Sequence, residues 1–151
     1  MPIEQTTDLL EKLKNVHHDL AECYAHMESP EKKDKVQLML SYLSAQEKTL
    51  AESMEKFKDL ANVNTLMTYY SKSPDKEKWE HLASCRISKD ISFEDLVTEV
   101  LKTGDSYIDI LDEICNSSET DSQKKLFKDL LDSATHQRNQ LMYNAMTLGD
   151  S

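Results

Sequence analysis

Along residues 36–61 the apolar positions fall at Val36, Leu40, Leu43, Leu50, Met54, Phe57 and Ala61, and Glu47 interrupts the series between Leu43 and Leu50. The steps alternate between four and three, which is the seam of a long helix that faces a helical partner. A first segment, from about residue 8 to 28, repeats this spacing through Leu10, Leu13, His17, Leu20, Tyr24 and Met27, with Leu9 and Val16 widening the stripe. Ser29-Pro30-Glu31 supplies a restart signal: a serine N-cap, a proline at the first helical position and an acid in the first turn. So short a break predicts that the first two helices lie antiparallel as neighbours.

The spacing is lost over residues 62–92. A loop of this length without structure is unusual in a small domain, and Ser73-Pro74-Asp75 repeats the restart signal. A short helix is expected after it, with Trp79, Leu82 and Ala83 on one face, and Tyr69, Tyr70 and Trp79 anchoring the crossover by burial of their rings. Ser92 then caps a third helix, with an acid at Asp95, whose seam runs through Phe93, Val97, Val100, Gly104, Tyr107, Leu111 and Ile114. A fourth helix starts near Thr120, carries Leu126, Phe127, Leu130, Ala134, Gln137 and Leu141 inward, and is expected to end before Gly149 in a left-handed cap. The pattern predicts one all-α domain over residues 1–151, with helices at about 8–28, 30–61, 93–116 and 120–147. They form two antiparallel hairpins joined by the crossover at 62–92.

Composition supports an all-α chain, because only two glycines and three prolines are available to build turns. The 28 acidic against 18 basic residues give a net charge of −10, which opposes binding to the phosphates of nucleic acid. No apolar run approaches the roughly 18 residues of a membrane span, and residues 1–8 lack the basic start and apolar stretch of a secretory leader. Cys23, Cys85 and Cys115 are far apart, odd in number and without a C-x-x-C pair, so zinc-knuckle, redox and haem-attachment motifs are absent. Buried free thiols and a reduced, cytoplasmic location are the expectation.

A carboxylate on a helical seam needs a proton, a hydrogen-bond partner or a metal. Four-helix bundles with two metal ions place a Glu at such a position and a His three residues on; here the third residue is Leu50. In topology and seam positions the chain resembles the ferritin-like superfamily, in particular its small rubrerythrin-type four-helix bundles. The resemblance spans nearly the whole chain. It implies a di-iron site built from a Glu on helix one, Glu-x-x-His on helix two, a Glu on helix three and Glu-x-x-His on helix four. At the matching positions stand His17, then Glu47 and Leu50, then Gly104, then Ala134 and Gln137. One carboxylate of six ligands is kept, so the resemblance implies a bundle that has lost its di-iron site and needs no cofactor.

Asp105 and His136 lie one residue from the failing positions. One residue turns a helix face by about 100°, so both point sideways unless a π-bulge redirects them. His17, Glu47, Asp105 and His136 are therefore the remnant set that could hold iron or another divalent metal, and with it an oxidoreductase activity. Against this, His17 and Glu47 can pair with each other across the interface of the first two helices. His18, followed by Asp19 and Glu22, is the candidate for a histidine phosphotransfer module, although such chemistry wants basic support nearby. Phosphate-binding glycine loops, G-x-S-x-G and H-E-x-x-H are absent. The expectation is a non-catalytic bundle that acts by association with a protein partner not identifiable from its residues. A homodimer is the expected form, hiding spare apolar residues at Leu9, Val16 and Cys23 or at Leu131 and Tyr143.

Overall fold

The apolar stripes of the sequence become four long helices in the computed structural model, which describes residues 4–29, 34–70 and 72–149. In chain order the elements are β1 (Glu4–Gln5), α1 (Thr6–Met27), α2 (Asp34–Leu60), α3 (Val63–Leu66), β2 (Tyr69–Tyr70), α4 (Lys76–Ala83), α5 (Phe93–Asn116) and α6 (Asp121–Gly149). The protein is all-α except that β1 and β2 pair antiparallel, Glu4 opposite Tyr70 and Gln5 opposite Tyr69. This small ladder ties the crossover to the start of α1, a link that the sequence pattern did not suggest.

The ion pairs fix how the first pair of helices runs. Glu11 meets Lys58 at 2.7 Å and Lys14 meets Glu55 at 3.0 Å near one end. Ser44 donates to the Ala21 carbonyl at 3.4 Å further along. Low numbers on α1 thus face high numbers on α2, the antiparallel arrangement expected from the short connection. The restart signal at Ser29-Pro30-Glu31 falls largely on residues 30–33, outside the described residues. The second pair is antiparallel as well: Asp105 and Arg138 meet midway, while Phe93 lies against Gly149 at one end and Cys115 against Lys124 at the other.

Four details correct the sequence reading. The short crossover helix begins at Lys76 with Asp75 in the extended N-cap position, so Ser73 does not cap it; the Ser73 hydroxyl bonds Glu4 at 2.7 Å instead. The third seam is wider than expected, with Leu96 and Ile110 fully buried while Phe93 and Val97 are only half-buried. No glycine among the described residues has a positive φ, and α6 runs through Gly149 without a left-handed cap. The Gly149 carbonyl accepts from Lys35 Nζ at 3.0 Å, so this terminal acceptor is satisfied from α2. Of the three crossover aromatics, Tyr70 and Trp79 are buried but Tyr69 is 58% exposed.

A fifth correction concerns the cysteines. Cys23 and Cys85 are bonded, with Cα atoms 5.6 Å apart, and only Cys115 among the described residues is a free thiol. The reason is α4. Its Trp79 and Leu82 pack into the core beside α1, and the chain that leaves α4 carries Cys85 to Cys23. The same packing covers Leu9, Val16 and Cys23, all under 8% exposed. These residues are therefore not spare apolar surface for a second copy. Ser92 does cap α5, accepting from the Asp95 amide at 3.1 Å as the sequence indicated.

Candidate functional site

At the middle of the core, where the two helix pairs face each other, a cavity of about 60 Å³ opens. Each helix contributes what its seam dictates: His17 from α1, Glu47 and Leu50 from α2, Gly104 from α5, Ala134 and Gln137 from α6. The six positions compared from the sequence thus line one chamber. Leu20, Leu43, Val100 and Leu141 make its apolar walls, and Tyr24 and Tyr107 bring two phenol rings.

The polar groups form a chain. His17 is 3% exposed, with Nδ1 2.6 Å from Glu47 Oε2 and Nε2 2.9 Å from the Tyr107 hydroxyl. The His17 and Tyr107 rings also lean on each other, with centroids 4.9 Å apart. With Glu47 ionised the carboxylate can only accept, so Nδ1 carries the shared proton; in the neutral ring Nε2 then accepts from the Tyr107 hydroxyl, and in the protonated ring it donates to it. Each nitrogen of the ring is then matched. Burial, and secondly the Glu47 charge, pushes the Tyr107 phenol well above its ordinary pKa. Tyr24 is raised by the same two causes, partly offset by Arg86. Both phenols stay protonated at neutral pH.

The remaining candidates lie outside this chain. Asp105 points away from the cavity and takes two bonds from Arg138, at 2.5 and 3.3 Å. Arg138 lays its stem beside Gly104, with Cγ 3.5 Å from where a Cβ would sit. That stem uses the space the glycine leaves. His136 is exposed. His18 is exposed too, and its nearest charged partner is the Glu22 carboxylate at 3.6 Å, not a cation.

The donor set does not fit a pair of irons. Glu47 has one oxygen committed to His17, Asp105 is held by Arg138, and the other ligand positions carry Leu50, Gly104, Ala134 and Gln137. Among the described residues no three His, Cys, Asp or Glu side chains come together as a metal site. The structure joins His17 to Glu47 and leaves Asp105 and His136 apart from them.

Two residues of this architecture escaped the sequence reading. Tyr107 was legible only as a seam aromatic; its spacing from His17 across the core has no signature in one sequence. Gln123 is fully buried at the start of α6, where its Oε1 accepts from the Glu119 and Thr120 amides and its Nε2 donates to the Tyr69 carbonyl. No protein-family model, curated protein or solved structure matches the chain.

Proposed function

We propose that this protein is a ferritin-like four-helix bundle that has lost its di-iron site and works without catalysis, by association. One observation carries the reading: the surviving carboxylate, Glu47, is already matched by His17, which is matched in turn by Tyr107. A metal would have to break that chain and would gain too few anionic ligands in return. The convergence of all six compared seam positions on one cavity supports the ferritin-like part of the proposal.

The associating surface suggested by exposure lies on α2 and α6. Leu38 and Tyr42 on α2, and Tyr143 and Met146 on α6, are 38–66% exposed. The Tyr42 hydroxyl accepts from Asn144 at 3.4 Å, which draws the two helices together there. A second copy of the chain is the proposed occupant, in keeping with the preference of small bundles for closed symmetric pairs. Sedimentation of the protein at micromolar concentration tests this; monomer alone, unchanged by Tyr143→Glu, refutes it.

The working compartment follows from the thiols. No helix among the described residues is long and apolar enough to cross a membrane. A cytoplasmic location goes with reduced cysteines, whereas the Cys23–Cys85 bond goes with an oxidising compartment. Thiol titration of protein drawn without reductant decides between one free thiol and three.

Metal analysis of protein made in iron-supplemented medium tests the loss of the site, together with melting curves in iron(II), manganese(II) and zinc(II). Metal-free protein with an unmoved midpoint is the expected result. Stoichiometric metal with a stabilising shift overturns it and restores a metal-dependent oxidoreductase with an unusual ligand set. Uptake of phosphate on His18 from an acyl phosphate would favour phosphotransfer instead.

A further inference from the structure

Between α4 and α5 the chain runs through residues 84–92 without helix or strand. Both ends of this strap are fixed: Leu82 is fully buried, and Ser92 caps α5 through the Asp95 amide. In between, Ser84, Arg86 and Ile87 face Leu20 and Tyr24 of α1 and Val100 and Thr103 of α5. The crevice left among these residues is about 10 Å³, room for about one water. The strap is therefore seated on the bundle.

Its own polar bonds do not seat it. Ser84 bonds the His81 carbonyl through its amide at 3.4 Å and its hydroxyl at 2.7 Å. Arg86 Nη1 donates to His81 Nε2 at 2.7 Å, and the Ile91 amide donates to the Ser88 carbonyl at 3.2 Å. These bonds shape the strap locally, while Ile87 and Ile91 are only partly buried against the core. The covalent tie to α1 is the Cys23–Cys85 bond.

The two sulfurs of that bond differ in access. Cys23 stands in α1 and is 7% exposed, whereas Cys85 is exposed on the strap. Thiol–disulfide exchange is attack of a thiolate on one sulfur, so it depends on which sulfur can be reached, and exposed disulfides are the labile ones. Arg86, next in the chain to Cys85, brings positive charge to where an anionic thiolate arrives.

We propose that Cys23–Cys85 is an exchange site for low-molecular-weight thiols, and that its reduction releases the strap from α1 and α5 while the long helices stay packed. In the first step a thiolate attacks Cys85 Sγ. A mixed disulfide forms there, the Cys23–Cys85 bond breaks, and Cys23 leaves as a thiolate that takes a proton from water. A second thiolate attacks the outer sulfur of the mixed disulfide and expels Cys85 as a thiolate, which is protonated in turn. Two small thiols are thus oxidised to their disulfide, and one cystine is reduced to two cysteines. Trp79 and Leu82 hold α4 in the core throughout, so only the stretch between Leu82 and Ser92 is freed. The redox state then governs whether Leu20, Tyr24 and Val100 are covered on this side.

Glutathione is the probe. Native protein is equilibrated in mixtures of its reduced and oxidised forms and quenched with iodoacetamide. The cysteines are read by peptide mass, and the quenched protein is exposed briefly to trypsin. Cys23 and Cys85 should become alkylated together as reduced glutathione rises, with helical circular dichroism unchanged, and the transient glutathione adduct should sit on Cys85. Trypsin should cut after Arg86 and Lys89 on the order of tenfold faster once the bond is reduced, since cleavage tracks the open population. Cys85→Ser should be cut at the fast rate in every mixture, with its helices intact. Thiols that appear only as the helix signal collapses, or a Cys85→Ser chain without helices, mark a purely structural staple and overturn the proposal. An adduct formed first on Cys23, equal cleavage of both forms, or no bond in oxidised glutathione overturns it too. None of these readouts depends on metal content, so the loss of the di-iron site is left to its own test.

Discussion

Replacing Glu47 by Gln asks whether the buried charge helps or harms the fold. The substitution keeps shape and keeps an acceptor for His17 Nδ1, so what is lost is the charge on a bond of 2.6 Å. Hydrogen bonds to ionised groups contribute about 1.5–3 kcal/mol and neutral ones about 0.5–1.5 kcal/mol. The difference, about 1–1.5 kcal/mol, is the expected loss. Removing the charge also relieves its desolvation, which acts the other way. The Glu47 side chain is 15% exposed, so part of its hydration survives folding and that relief is partial. The net prediction is destabilisation by about 1 kcal/mol, which in a chain of this length lowers the melting midpoint by about 2–4 °C.

Urea unfolding followed by helical circular dichroism measures this directly, with the midpoint falling and the slope unchanged. Tyr107→Phe strands His17 Nε2 and should cost about 1–2 kcal/mol by itself. Because both residues hold one imidazole, the double variant should depart from additivity by more than about 0.5 kcal/mol. A midpoint unchanged or raised in Glu47→Gln, together with strict additivity, would sink the idea that the three side chains act as one unit. The carboxylate would then be a liability tolerated by the fold.

Three further outcomes follow from the structure. Gly104→Ala should stabilise by about 0.5–1 kcal/mol through helix propensity, since the new methyl meets only the movable Arg138 stem at 3.5 Å; a loss in thermal unfolding would contradict that contact. Reducing the Cys23–Cys85 bond, or Cys85→Ser, frees a loop spanning 62 positions and should lower stability by about 4 kcal/mol on the chain-entropy estimate, read from urea midpoints with and without reductant. Burial raises the Tyr70 phenol to about 12 from an ordinary 10, and shifts Tyr24 and Tyr107 in the same direction. The stability these groups confer is thus complete below pH 10 and lost as pH climbs toward 12, so their tyrosinate absorbance should rise only together with loss of helix; ionisation with the helices intact would contradict it.

The long helices and the place of the chamber were legible because both follow from spacing alone. The alternation of three and four fixes which residues meet at the core, so a single carboxylate out of pattern marked the chamber, and His17 could be named as its partner. What was not legible depends on where the crossover goes. Nothing in Lys76–Ala83 states which helix its apolar face covers, so the fate of Leu9, Val16 and Cys23 was misjudged and the Cys23–Cys85 bond missed. Gly149 failed for a similar reason: a terminal carbonyl has several routes to satisfaction, and Lys35 supplied one that a local rule could not see. The Asp105–Arg138 pair spans 33 positions between two helices, and only the observed packing shows that it uses up a carboxylate left open as a remnant ligand.

The chain from Glu47 through His17 to Tyr107 does something for the fold that apolar seams cannot do. Leucine seams tolerate sliding, since one turn along a helix presents a similar surface. Within the first helix pair, sliding is opposed by the ion pairs of Glu11 and Lys14 with α2. Those contacts are exposed and contribute little. Between the two pairs, the bond from Tyr107 on α5 to His17 on α1 is the polar link at the level of the chamber. A slip of one turn, about 5.4 Å, would break that bond and leave an imidazole nitrogen and a phenol buried without partners. Each such orphan costs about 1–3 kcal/mol, more than a shifted leucine contact loses. The polar chain therefore selects one register of the two hairpins, and that register is the one in which the six compared positions surround a single cavity.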